Sequence, residues 1–561
     1  MDYKSLPLPL SRLIPADQIP PTMKRIVGPY QAIREDIIQS VDQQTTNFDN
    51  VIQPLIDIDN ETQGDISIIA MLRYASPDRA SRQASEEACT LTNEDQAAFT
   101  ARPDFWCLIK TVKANQDTSL HFEARKYLDK VLLEFKQFGH GTLQPAQIQE
   151  YLKRRNHIGS MRREYNQRIR EDTGGLCPNA ELFRDIMIER DLNARLLGYE
   201  SHAAYRLEKR LMKTPTQVED MLADLHEKIQ IRGQQDMNLL MDLKKNESME
   251  GAKCIEEDVE EIYPWDYWYY ARLAEQHLHI DPEQVAEYFP LQHVISTMLE
   301  MFSEFLRLRF WPISPNQLEG LTWHEDVRAY SVWDAREALK GEFIGYLYMD
   351  LLSRDNKYKG NQNVNLQYSD HISLTWTNDV AFHGHRSPPD FAEALSVMLE
   401  KWCWMKPELK RLGVYYTRTE LHLKDKWLQE NPEQDLPPER IPDDTIERLI
   451  KGRQVTRSMW YLLQMVYAQF YMAVHHPKSH SELLEMNFTK VFNNLLEKLA
   501  HVFAEELFES TFLEDPRRAS ALDRYRKGIL EFGGSRDELE LLEEYLGHSP
   551  TSEPLLRGLL E

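Results

Sequence analysis

TPTQVEDMLADLHEKI, residues 214–229, sets the pattern that most of this chain repeats. Thr214 can cap a helix, Pro215 suits the first helical position, and Gln217 stands where a capping box takes Glu or Gln. Val218, Met221, Leu222, Leu225 and Ile229 follow at spacings that share one face, while Glu219, Asp220 and Lys228 turn to water. The same period runs through 282–305, 443–450 and 458–470, the last so apolar that it predicts a buried helix. Strand-like composition is confined to 321–350, where Val327, Tyr330, Val332, Trp333, Phe343, Ile344 and Tyr346 favour a small hairpin or sheet. The fold class expected is all-α with a small β region.

Working outward, residues 1–95 carry Gln, Asn and Asp clusters such as Asp42-Gln43-Gln44 and the stretch 57–60, and predict helices with loose loops and weaker packing. The segment 424–444, KDKWLQENPEQDLPPERIPDD, is polar and Pro-rich and reads as a surface loop between helices. No internal repeat or low-complexity tract interrupts the chain.

At 561 residues the chain is long enough to bury a substantial core without staples. Sixty-six basic against ninety acidic residues give a formal charge of -24, and no Lys/Arg block suited to phosphate is present, which argues against nucleic acid as a partner. Cys89, Cys107, Cys177, Cys254 and Cys403 are odd in number and scattered, so neither a disulfide framework nor a CxxC metal site is indicated. The start, MDYKSLPLPLSRLIPADQIPP, is broken by prolines, and no apolar run approaches the length of a bilayer. A cytoplasmic monomer, not held by a membrane, is the expectation.

From Trp323 the sequence becomes recognisable. WHEDVRAYSVWD (323–334), GEFIGYLYMDLLSRDNKYKGNQNVNLQ (341–367), FHGHRSPPDFAEALSVMLEKWCW (382–404) and EFGGSRDELELLEEYLG (531–547) resemble, in order, the motifs of the thimet oligopeptidase, neurolysin and saccharolysin type of zinc metallopeptidase. Upstream, Arg195-Leu196-Leu197-Gly198-Tyr199, the stretch 207–214, Trp265-Asp266-Tyr267-Trp268-Tyr269-Tyr270 and Glu287-Tyr288-Phe289-Pro290-Leu291 also stand in family order, so the resemblance covers 180–547. It implies a two-lobed helical shell around a deep channel that admits short, unfolded peptides. It also divides the chain into an N-terminal helical region, 1–180, and a metallopeptidase-like region, 181–561.

The resemblance implies zinc as cofactor, held by two His of an HExxH helix and a Glu of a second helix, with an open position for water. Glu393 matches that third ligand, because DFAEALS (390–396) stands where the family has DFVEAPS. Leu395 and Val397 depart from the family's Pro and Gln. Phe391, Leu395, Met398, Leu399 and Trp402 form an apolar stripe, with Glu393, Ser396 and Glu400 on another face. The alternative for Glu393 is a plain solvated carboxylate.

The HExxH helix itself is missing. It should precede Glu393 near Asp370-His371-Ile372-Ser373, yet between Gln367 and Phe382 stands only YSDHISLTWTNDVA. His226-Glu227 and His324-Glu325 lack a second His at the right offset and read as structural. No catalytic general base is therefore assigned. Downstream, a helical run, FNNLLEKLAHVFAEELFESTF (492–512), replaces the family's Gly/His/Tyr-rich loop that stabilises the oxyanion. By resemblance His383 and Gly384 belong to a loop that binds the substrate backbone; a zinc site rebuilt from His383, His385 and Glu393 is the less favoured reading. His476 and His480 are four apart, but Pro477 breaks their helix.

Three readings follow. The first is a zinc oligopeptidase acting on short peptides, of which this is a shortened isoform or gene model; the second is a peptide-binding relative without catalysis; the third is a helical scaffold alone. Housekeeping turnover and trimming of one specific precursor would leave the same residues.

Overall fold

A computed structural model describes residues 13–116, 119–171, 177–249, 266–276, 278, 280–358, 363, 364, 366, 388–488, 491 and 538–546. These residues are mostly helical, with one three-stranded sheet. They fall into two compact units, one drawn from Met1–Glu200, Leu306–Pro389 and Asp523–Tyr545, the other from Ser201–Phe305, Asp390–Leu522 and Leu546–Glu561.

The first unit begins with α1 (Ile19–Ser40), α2 (Gln53–Ala75), α3 (Arg79–Thr100), α4 (Pro103–Gln116), α5 (Phe122–Lys136), α6 (Pro145–Glu171) and α7 (Cys177–Leu196). Contrary to expectation, residues 1–95 contribute to a dense core where described: Val51 and Ile52 are fully buried against Phe105, Ile109 and Leu128. The polar clusters that suggested looseness are satisfied locally or at long range. Asp42 accepts from the amides of Gln44 (2.7 Å) and Thr45 (2.9 Å), closing a turn. Asp59, in the middle of α2, accepts from the hydroxyls of Tyr30 (2.7 Å) and Tyr127 (3.2 Å). Burial pushes its carboxyl above the usual range, and both tyrosine bonds oppose that shift. Arg34 is buried over the ring of Phe99 (4.0 Å) and pairs with Asp95 at 2.6 Å.

The sheet has the order β1 (Leu308–Pro312), β2 (Arg328–Asp334), β3 (Phe343–Met349), all antiparallel. Leu308 faces Asp334 across the first pair and Arg328 faces Met349 across the second, with an irregularity at Val332/Trp333. The composition of 321–350 foretold β2 and β3; β1 was missed, being five residues that end in Pro.

The second unit contains α8 (Pro215–Met249), α9 (Tyr267–Gln276), α10 (Leu291–Leu306), α11 (Pro389–Cys403), α12 (Asp443–Gln454) and α13 (Arg457–His475), apart from the boundary residues Leu306 and Pro389. The capping box forms as read: the Gln217 amide donates to Thr214 Oγ1 (3.3 Å) and the Thr214 amide to Gln217 Oε1 (3.1 Å). Val218, Leu222, Leu225 and Ile229 then pack on Tyr461, Met465, Ala468 and Met472 of α13. A Cβ on Gly233 would meet Leu462 Cδ1 at 2.0 Å, so the two helices approach as closely as glycine permits. α13 is buried on this side but leaves Tyr467 and Tyr471 exposed, so it is not buried all round.

Two expected spans change. The helix read through 282–305 breaks at 287–290, because the carbonyls of Glu287 and Tyr288 accept from the amides of Tyr416 (2.9 Å) and Val414 (2.7 Å), and Pro290 cannot continue the first helix. The segment 424–444 is not all loop, because a helix covers Leu421–Glu430 and buries Trp427 against Tyr288 and Ile441.

Candidate functional site

α11 carries the residue singled out as a metal ligand. Phe391, Ala394, Met398 and Trp402 are buried, and Trp402 lies 5.1 Å from the ring of Phe305. Leu395 and Leu399 sit at the edge of that stripe, and Ala394, overlooked as too small to mark a core, is fully covered. Asp390 anchors the first turn by accepting from the Leu211 amide at 2.8 Å. The opposite face presents Glu393, Ser396 and Glu400 to solvent, as their spacing required.

Ser396 Oγ donates to the Glu393 carbonyl (2.9 Å) and lies 3.5 Å from Glu393 Oε2. Glu393 forms no ion pair among the described residues. Glu400, by contrast, lies 3.2 Å from Arg453.

His383, Gly384, His385 and His371 lie outside the described residues. His324 is a turn residue whose Nδ1 accepts from the Asp326 amide (3.2 Å), and His476 pairs with Glu219 at 2.8 Å. α13 ends at His475 and the next helix starts at His480, so His476 and His480 share no helix. Among the described residues no three His, Cys, Asp or Glu side chains stand together to hold a metal. Glu393 by itself does not fit zinc, which needs three protein ligands. Cys89, Cys107 and Cys403 are free thiols.

One cluster escaped the sequence reading. Asp350, just after β3, accepts from Trp323 Nε1 (2.8 Å), from both terminal nitrogens of Arg354 (2.6 and 2.8 Å) and from Lys357 (3.1 Å). Burial opposes its charge, but these donors more than offset that cost and bring the carboxyl down to about 2. Arg354 also donates to the Ala75 carbonyl (2.9 Å), and the Tyr358 amide to the Tyr74 carbonyl (3.1 Å), tying the motif after β3 to the end of α2. The spacing Asp-x3-Arg-x2-Lys was the available signal.

The sequence profile described as Peptidase family M3 matches residues 159–378 and 369–502. The chain belongs to Peptidase family M3. It is 25% identical to Oligopeptidase PhomG' of Diaporthe leptostromiformis over 675 aligned positions, which cover 97% of this chain and 55% of that protein. Oligopeptidase PhomG of the same fungus is 24% identical, with 94% of this chain and 95% of that protein covered. Saccharolysin of Saccharomyces cerevisiae is 26% identical, with 69% and 62% covered. The chain therefore spans little more than half of the first of these relatives and less than two thirds of the third. Both PhomG alignments are longer than the chain's 561 residues, so residues of those M3 relatives have no counterpart here. The two matched stretches of the M3 profile overlap at 369–378.

Proposed function

We propose that this protein acts as a metallo-oligopeptidase on short, unstructured peptides, with the region 181–561 carrying the peptidase-like elements behind the N-terminal helices. The observation that carries the reading is the match to Peptidase family M3 over 159–378 and 369–502, within which Glu393 stands exposed on α11. In a zinc enzyme of this kind Glu393 would be the third ligand; the other two ligands have no counterpart among the described residues. His383 and Gly384 would bind the substrate backbone. The chain's composition and scattered thiols fit a cytoplasmic setting, and among the described residues no helix is long and apolar enough to cross a membrane.

A second reading, peptide binding without hydrolysis, is favoured by one fact: no HExxH occurs anywhere in the 561 residues. Sequencing the mature transcript across the codons for 367–382 and 479–512, then measuring zinc and cleavage of an internally quenched peptide on the encoded protein, separates the two. Inserted codons for HExxH, one zinc per chain and cleavage lost in Glu393→Gln uphold the oligopeptidase. Junctions as printed, no zinc and no cleavage leave peptide binding alone.

A further inference from the structure

α6 gathers Lys153, Arg154, Arg155, Arg162, Arg163 and Arg168 in a chain whose formal charge is -24. The helical period sorts them. Tyr151 and Met161 are buried in the core, Arg154 pairs with Glu150 (3.4 Å) and with Glu189 of α7 (3.3 Å), and Arg168 pairs with Glu164. Lys153, Arg155, Arg162 and Arg163 are exposed, and none of them has a carboxylate partner among the described residues. Acids are plentiful in this chain, ninety against sixty-six bases, and Arg34, Arg102, Arg195, Arg336 and Arg354 each take one. The exposed cations of α6 are left without.

Seven residues bring a helix almost back to its own direction, so Arg155 and Arg162 lie on one stripe with Arg163 beside it. Two of these heads are placed: Arg155 lies 4.1 Å from the ring centre of Phe138, and Arg163 donates to Ser160 Oγ at 2.9 Å. Gly159, four positions after Arg155 and three before Arg162, belongs to the same stripe. Among the described residues a Cβ there would meet only Arg163 Nη1, at 3.7 Å, and its φ is not positive, so neither packing nor backbone geometry asks for glycine. A glycine inside a helix costs stability relative to alanine. What it leaves here is bare backbone between three guanidiniums.

We propose that the Arg155, Arg162 and Arg163 face of α6 docks an acidic segment of a protein partner, whose carboxylates pair with the guanidiniums and whose backbone comes close over Gly159. Guanidinium forks suit carboxylates, and the stacked and hydrogen-bonded heads lose less freedom on binding. Arg155 and Arg162 are about 10 Å apart along the axis, a distance that an extended segment covers in about three residues, with side chains on one side recurring every ~7 Å. Two or three acidic residues therefore match the face. A nucleic acid or an anionic membrane would bring a long array of charge against the rest of an acidic body, and the apolar side of α6 is already spent in the core, with nothing left to enter lipid. The inference does not rest on the peptidase reading.

The test uses the full chain and a fluorescein-labelled dodecapeptide of alternating glutamate and serine, with a glutamine-for-glutamate version as its control. Fluorescence polarisation at low salt should show the acidic peptide binding about tenfold tighter than the control, an advantage that shrinks several-fold at about 0.3 M sodium chloride. Arg155→Gln, Arg162→Gln and Arg163→Gln should each weaken the acidic peptide about threefold, as for exposed ion pairs, and together abolish its advantage. Gly159→Leu should also weaken it while raising the thermal midpoint, a combination that a purely structural role for this face would not give. Equal binding of the two peptides, discrimination that survives the triple substitution in folded protein, or displacement of the acidic peptide by excess control peptide overturns the inference. So does tighter binding of poly-uridylate or of phosphatidylserine vesicles that the triple substitution removes, which would assign the face to a polyanion instead.

Discussion

The helical bundle of the first unit and the α11 face of the second handle charge in opposite ways. In the bundle, Arg34 pairs with Asp95 at 2.6 Å with both side chains nearly covered, and beside the sheet of the same unit Asp350 collects donors from Trp323, Arg354 and Lys357. On α11, Glu393 has no ionic partner among the described residues, and the exposed Glu400 meets Arg453 alone, at 3.2 Å. A buried, paired charge fixes a structure; an exposed charge without an ionic partner can recognise something that arrives later. The contrast separates structural ion pairs from candidate binding groups without reference to which residues are charged.

The largest effect that would break this contrast belongs to Arg34. Arg34→Met leaves Asp95, whose side chain is 11% exposed, without its cation, and should cost about 3 kcal/mol in urea unfolding. A loss as small as that of an exposed pair would show that this ion pair does not hold the bundle together.

Asp350 should come next. Its folded carboxyl lies lower (about 2) than the ordinary 3.8, so its contribution is complete above about pH 4 and disappears as pH falls towards 2. Asp350→Asn should therefore lower stability by about 1–2 kcal/mol at pH 7 and converge on the wild type in acid unfolding near pH 2. Parallel curves that never converge would place the loss in packing rather than charge.

The smallest effect sharpens the other half. Glu393→Gln should leave the thermal unfolding midpoint unchanged, because no described partner loses its ion pair. A clear drop would reveal a structural role and remove Glu393 from the candidate ligands.

Much of the local structure was legible in the sequence. The capping box of Thr214 and Gln217 and the two faces of α11 follow from spacing, since both depend on neighbours within a few residues. The failures share a physical cause. The stretch around Asp59 looked loosely packed because its satisfying hydroxyls come from Tyr30 and Tyr127 on other helices. Trp427 looked exposed in a polar segment because its packing partners, Tyr288 and Ile441, lie elsewhere in the chain. The helix through 282–305 breaks because backbone amides from 414 and 416 compete for its carbonyls.

The cap on α13 bears on how this chain is made. Asp236, on α8, closes the first turn of α13 by accepting from the Met459 amide, 223 positions later in the sequence. The apolar face of α8 likewise waits for Tyr461, Met465 and Ala468. Contacts so distant along the chain close slowly, because loop entropy must be lost before they form. During synthesis, α8 therefore emerges with its greasy side uncovered and stays so until α13 leaves the ribosome, an interval in which chaperones would find their natural target.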